Sequence, residues 1–95
     1  MRVVGRNKLD AFAKKHGDAR PWIAGWVAEV EEAQWKTPGE MKKLYPKASI
    51  LSDGKGVIFD VKGNDYRMHV RIDFRQGVVL VVKLGTHAEY DRWAL

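Results

Sequence analysis

The chain has 95 residues, 45% of them hydrophobic, a formal net charge of +5 and no cysteine. That length holds one domain with one modest core, so a single domain over 1–95 is expected. Missing thiols exclude a disulfide scaffold, a thiolate zinc site and a cysteine nucleophile, and no apolar run is long enough for a membrane span or a secretory signal.

The expectation is therefore a soluble, cytoplasmic, basic protein with no membrane contact. A basic balance favours polyanionic partners. The excess lies mostly in residues 1–52, and the second half is nearly neutral.

Arg2-Val3-Val4 reads as a short first strand. Asn7 is positioned to cap a helix, and Leu9, Phe12, Ala13 and His16 then repeat at i, i+3, i+4 and i+7. Gly17 ends that helix. Arg20-Pro21 opens a second one, because proline suits the first helical turn. Trp22, Ile23, Trp26, Val27, Val30 and Ala33 form its apolar stripe, which assigns both tryptophans to the core. Thr37-Pro38-Gly39-Glu40 has the pattern of a capping box. A short helix follows through Met41 and Leu44 and stops at Tyr45-Pro46. Its Lys42 and Lys43, with Lys47, are either a solvated face or a phosphate-contacting patch.

From residue 48 the period changes to two. Strands are predicted over 48–51, 57–61, 66–75 and 78–84, with turns at 53–56, 63–65 and 76–77. Thr86 and Glu89 form a second possible capping box, opening a short terminal helix. The result is an α+β layer fold: a short N-terminal strand and helices on one face of a mainly antiparallel sheet, closed by a short helix.

Alternation along 66–75 points Tyr66, Met68, Val70, Ile72 and Phe74 toward the helices. It points Arg67, His69, Arg71, Asp73 and Arg75 toward the open face. On the last strand, burying the apolar-rich set Val78, Leu80, Val82 and Leu84 leaves Val79, Val81 and Lys83 with the arginines. Asp60 falls beside them. The same pattern also describes an ordinary one-sided sheet, with Asp60 and Asp73 neutralising arginines across strands. His87 sits in a first helical turn, where an exposed polar residue is ordinary. Thr86 is better explained as a cap than as a nucleophile, and Asn64 suits a turn. His16, His69 and His87 lack metal-ligand spacing, so no metal is expected. No Gly-rich phosphate loop opens a helix.

Two segments carry more. Phe59-Asp60-Val61-Lys62-Gly63-Asn64-Asp65-Tyr66-Arg67, followed by Gly85-Thr86-His87-Ala88-Glu89-Tyr90-Asp91, resembles the HigB toxins of bacterial toxin–antitoxin pairs, within the RelE-like superfamily. The resemblance covers nearly the whole chain. It implies a metal-independent endoribonuclease that needs no cofactor, cuts mRNA, typically on the translating ribosome, and arrests growth. It also implies a cognate antitoxin, often a helix-turn-helix HigA-like protein, through which alone the toxin meets operator DNA.

The implied reaction drives an RNA 2′-hydroxyl at the adjacent phosphate. It needs a base, cations for the phosphorane and an acid for the leaving oxygen. Arg67 and Arg71 can only stabilise charge, since arginine keeps its proton. Lys83 serves as base if its cationic neighbours depress it far enough, and otherwise as a phosphate clamp. His87 is the first candidate for proton transfer. Tyr90 is placed to orient RNA, stack on a base or donate a proton. Asn64, His69, Arg71, Lys42 and Lys43 complete the expected RNA contacts. Two other readings remain open: a non-catalytic RNA- or ribosome-binding module using the same face, and an inactive relative that only holds an antitoxin.

Overall fold

All 95 residues are described by a computed structural model. The chain runs β1 (Arg2–Val4), α1 (Arg6–Lys15), a 3-10 turn (Gly17–Ala19), α2 (Arg20–Glu32) and α3 (Pro38–Leu44). It continues β2 (Ser49–Ile50), β3 (Gly56–Val61), β4 (Tyr66–Asp73), β5 (Val78–Thr86) and α4 (His87–Tyr90). The strands form one sheet in the order β1-β5-β4-β3-β2. Every pairing is antiparallel except β1 with β5, which is parallel. The α+β expectation holds.

Helix α1 begins one residue before the expected cap. Gly5 precedes it with φ 92°, and no side chain caps the helix. Asn7 lies inside the helix and is exposed. The left-handed turn at Gly5 presses the backbone onto β5, where a Cβ would stand 3.0 Å from the Val81 carbonyl oxygen. A side chain is disfavoured there on both counts. At the other end the helix stops at Lys15, before Gly17, and His16 stacks on Phe12 and Tyr66 at 4.5 and 5.0 Å.

Helix α2 opens with Pro21 in its first turn and buries Ile23, Trp26, Val27 and Val30. Trp26 meets Phe59 of β3 edge to face at 5.6 Å. Trp22 is half-buried at the edge of the core, and Ala33 is the extended residue that ends the helix. Trp35, outside any helix, is buried in the same core. Half of the first expected capping box forms. The Glu40 N–H donates to Thr37 Oγ1 at 3.3 Å, while Glu40 Oε1 accepts from the Lys36 N–H at 2.9 Å.

The faces of β5 reverse one expectation. Val79 and Val81 are fully buried in the core, whereas Leu80 is 41% exposed. The β4–β5 register then slips: His69 pairs with Lys83, but Val70 pairs with Val81. Val82 is the extra residue of a β-bulge. Odd-numbered residues face the helices before the bulge, and after it Leu84 does. Lys83 therefore reaches the open face as expected, for a different reason. Lys8 Nζ donates to the Val82 carbonyl at 2.9 Å, satisfying an oxygen at the bulge.

Strand β4 ends at Asp73 rather than at 75, where Asp73 Oδ1 accepts the Gln76 N–H and Gly77 turns left-handed. Strand β5 continues to Thr86, two residues further than expected, and β2 shrinks to two residues.

Gly5→Ala tests the contact with Val81. The left-handed backbone alone costs an alanine about 1–2 kcal/mol. Gly54 shares that conformation, at φ +75°, with nothing near its Cβ position. Urea denaturation should show a larger stability loss for Gly5→Ala than for Gly54→Ala. Equal losses would mean the approach to Val81 contributes nothing.

Candidate active site

The left-handed turn at Lys62 and Gly63, with φ 51° and 67°, folds Asn64 back over β4. Arg67 Nη1 donates to the carbonyls of Asn64 and Tyr66 at 3.2 and 3.0 Å, and Nη2 donates to Asn64 Oδ1. Nε lies 3.3 Å from Asp60 Oδ1. The Tyr90 ring of α4 covers the guanidinium, its centroid 5.4 Å from Cζ. Arg67 is consequently only 7% exposed. The expectation of a water-facing arginine is corrected: this cation is held in place by a carboxylate, an amide and an aromatic ring.

His69 departs from expectation in the same direction, at 8% exposed. Neither ring nitrogen has a hydrogen-bond partner. Space for the ring comes from Gly56 on β3, where a Cβ would lie 3.4 Å from His69 Nε2 and 2.6 Å from Leu51 Cδ1. Ile58, paired with His69 across strands, is also buried but stands apart from the main core. A small second apolar cluster thus lies on the face expected to be open. Burial lowers the His69 pKa, with the charges of Lys83 and then Arg71 adding to the effect against Asp53. The imidazole is neutral at pH 7.

Arg71 is exposed and bonded to Asp53, Nη1 to Oδ2 at 2.9 Å. Asp53 also accepts the N–H groups of Gly56 and Lys55. These two backbone bonds, and then Arg71, hold its carboxyl well below the usual range. Lys83 differs from both arginines. It has no carboxylate partner, and its Nζ sits 4.7 Å from the centroid of the Trp93 ring.

Helix α4 brings the rest. Its capping box is complete: Glu89 Oε1 accepts the Thr86 N–H at 2.9 Å, and Thr86 Oγ1 accepts the Glu89 N–H at 3.1 Å. The His87 N–H donates to the Asp65 carbonyl at 3.2 Å, fastening the helix to the β3–β4 turn. His87 is exposed, with Nδ1 3.4 Å from Asp91 Oδ2. Ring centroids place Tyr90 6.3 Å from His87 and 5.5 Å from Trp93. Trp93 can lie so close because Gly85 has no side chain; a Cβ there would be 2.9 Å from Trp93 Cζ2.

Arg67, Lys83, His87 and Tyr90 therefore form one cluster, with Asn64 tied to Arg67 and His69 opposite Lys83. Arg71 stands at its rim. Lys42 and Lys43 are not part of it. They ride on α3, which is anchored by buried Met41 and by Tyr45 set edge to face on Phe59 at 5.1 Å, on the helix-covered face of the sheet. Trp93 was not among the expected site residues. Its signal in the sequence is Gly85, since glycine inside a strand marks a close approach. The cluster offers one uncompensated cation, one oriented guanidinium, an exposed imidazole and a phenol. These groups suit anion binding and proton exchange.

The buried imidazole has a consequence for stability. Its folded pKa lies below the unfolded value of about 6.5, so between the two the unfolded chain binds more protons. Stability rises with pH across that window and is lost as pH falls through it. Urea midpoints at pH 7.5 and 5.5 should fall less on acidification in His69→Leu than in the wild-type chain. An identical fall in both would show that His69 is not the group responsible.

The sequence profile of the family described as "HigB_toxin, RelE-like toxic component of a toxin-antitoxin system" matches residues 19–93. The chain is also 25% identical over 93 residues to the "mRNA interferase HigB" of Escherichia coli O6:H1 (strain CFT073), covering 97% of this chain and 90% of that protein. With the profile spanning α2, α3, four of the five strands and α4, the chain belongs to the HigB family of RelE-like toxins, the toxic components of toxin–antitoxin systems.

Proposed function

We propose that this HigB-family chain is an endoribonuclease that cuts mRNA on the translating ribosome and is silenced by a cognate antitoxin. The observation that carries the reading is Lys83: it is the site cation without a carboxylate partner, and it sits in one cluster with Tyr90, His87 and a fixed Arg67. The similarity to a relative named mRNA interferase supplies the substrate class.

The 2′-oxygen of one nucleotide attacks the adjacent phosphorus as the P–O5′ bond breaks. The products are a 2′,3′-cyclic phosphate and a free 5′-hydroxyl. One proton leaves the 2′-hydroxyl and one is delivered to the 5′-oxygen. Lys83 clamps the non-bridging oxygens, and Arg67, already oriented by Asp60 and Asn64, reinforces the positive field without exchanging a proton. His87 is the proton-transfer group and Tyr90 its neighbour with a second exchangeable proton. His69 borders the clamp opposite Lys83, and Arg71 extends the cationic rim. The ribosome adds positioning of the message, holding the 2′-oxygen, phosphorus and 5′-oxygen in line.

A helix-turn-helix antitoxin of the HigA kind is the partner in this reading, and operator DNA is reached through it alone. No helix is long and apolar enough to cross a membrane. Action on ribosomes places the chain in the cytoplasm.

The test is induced expression in a bacterial host with primer extension on a translated message. The wild-type chain should arrest growth and produce discrete new 5′ ends. Lys83→Gln should reduce those ends by about 10²–10³-fold, and His87→Asn by about 10²–10⁴-fold, both with native circular dichroism. Arg67→Ala is a poorer control, because it leaves the Asp60 carboxylate without its partner. Full cutting by both variants would show the site to be misassigned. Arrest with intact message would replace the nuclease with a non-catalytic binding module.

A further inference from the structure

Helix α1 carries Lys8, Ala11, Phe12 and Lys15 at i, i+3, i+4 and i+7, a single stripe along the helix. This is not the stripe that buries Leu9 and Ala13 in the core. It faces β5 instead, and together with Val82, Lys83 and Leu84 it lines a groove of about 300 Å³. Three of the residues lining the groove are lysines and none is a carboxylate. None of these lysines takes part in an ion pair, although the arginines of the site do. Glu89, a carboxylate within reach of the Lys15 charge, is committed to the capping box of α4. Lys83 belongs to this groove and to the reactive cluster at once, so the two are continuous.

We propose that the groove between α1 and β5 is a binding site for the sugar–phosphate backbone of the message, continuing from the scissile phosphate at Lys83 to Lys15 and Lys8. The proposal rests on the nuclease reading above and deepens it. Lys8 and Lys15 stand two helical turns apart, about 10 Å of rise, so they meet different phosphates of one strand. Phe12, Val82 and Leu84 between them offer apolar surface to riboses and base edges. Sequence-independent holding of this kind fits a strand that must be read at varied positions. Sharing Lys83 with the reacting centre favours the message over any other polyanion.

The test is binding of a fluorescent 2′-O-methyl single-stranded RNA of mixed sequence, followed by anisotropy from about 50 to 200 mM KCl. Methylation removes the nucleophile, so binding is read without cleavage. Each phosphate contact on a single strand contributes roughly 0.7 to the steepness of log K against log salt. Lys15→Gln should flatten the slope by about that amount and weaken binding several-fold at low salt. Lys14→Gln, on the side of α1 that faces α2, should match the wild-type chain. An unchanged slope and affinity in Lys15→Gln overturns the proposal and leaves the groove to an acidic protein segment. Absence of salt-dependent binding by the wild-type chain overturns it as well. If the wild-type chain cuts message while Lys15→Gln binds normally, the groove assignment alone fails. If Lys15→Gln flattens the slope but message stays intact on expression, the nuclease reading fails and the groove stands.

Discussion

One extra residue in β5 decides which face of the sheet Lys83 occupies. Strand residues alternate between faces, so without the bulge at Val82 the side of Val79 and Val81 would continue to Lys83 and drive an ammonium toward the core. The slip between His69 and Val70 instead turns Lys83 and Gly85 to the opposite face, beside β4's Arg67 and His69. Everything after the bulge depends on that turn. Gly85 on the site face lets Trp93 settle against the strand, which puts Trp93 over Lys83 and Tyr90 over Arg67. The N-terminal segment holds the bulge: Gly5 presses on Val81, and Lys8 takes up the Val82 carbonyl.

Charge compensation then separates the cations by role. A guanidinium as buried as Arg67's is tolerated only with a carboxylate and hydrogen bonds to its remaining donors, and Asp60, Asn64 and two carbonyls supply them. Removing one member leaves a charge without its partner, so loss of Arg67 confounds function with stability. Arg71 is tied to Asp53 near the surface, where such a pair contributes little to folding. Lys83 has no carboxylate partner at all. The site thus combines two arginines whose geometry is fixed by acids with one lysine whose field is free.

Much of this was legible in the sequence because local rules govern it. The proline and apolar stripe of α2, the Thr86–Glu89 box and the period-two pattern of β4 each depend on residues within a few positions of one another. The bulge was not, for a physical reason: 78–84 is apolar at every position but Lys83, so alternation cannot reveal which valines face in. The burial of Arg67 and His69 was hidden too. It requires Gly56, Leu51 and Ile58 from β3 and its approach, and Tyr90 from α4, which only the sheet order brings near. The start of α1 was misplaced because Asn7 matches a capping pattern, whereas the chain uses a left-handed glycine to satisfy a contact with a strand far along the sequence.

The face opposite the helices is therefore half-clothed rather than open. At one end α4 and Trp93 lie over Arg67, Lys83 and Gly85. At the other, the 51–55 segment folds Leu51 against Gly56 and His69 and fixes Asp53 to Arg71. A neutral imidazole is what allows His69 to sit between these coverings: a charged one, beside Lys83 and Arg71 and without a hydrogen-bond partner, would be expelled. His69 thereby keeps the middle of the face packed while adding no charge to it. The positive field is left to Lys83, at the junction where the cluster of Arg67, His87 and Tyr90 meets the lysine-lined groove along α1.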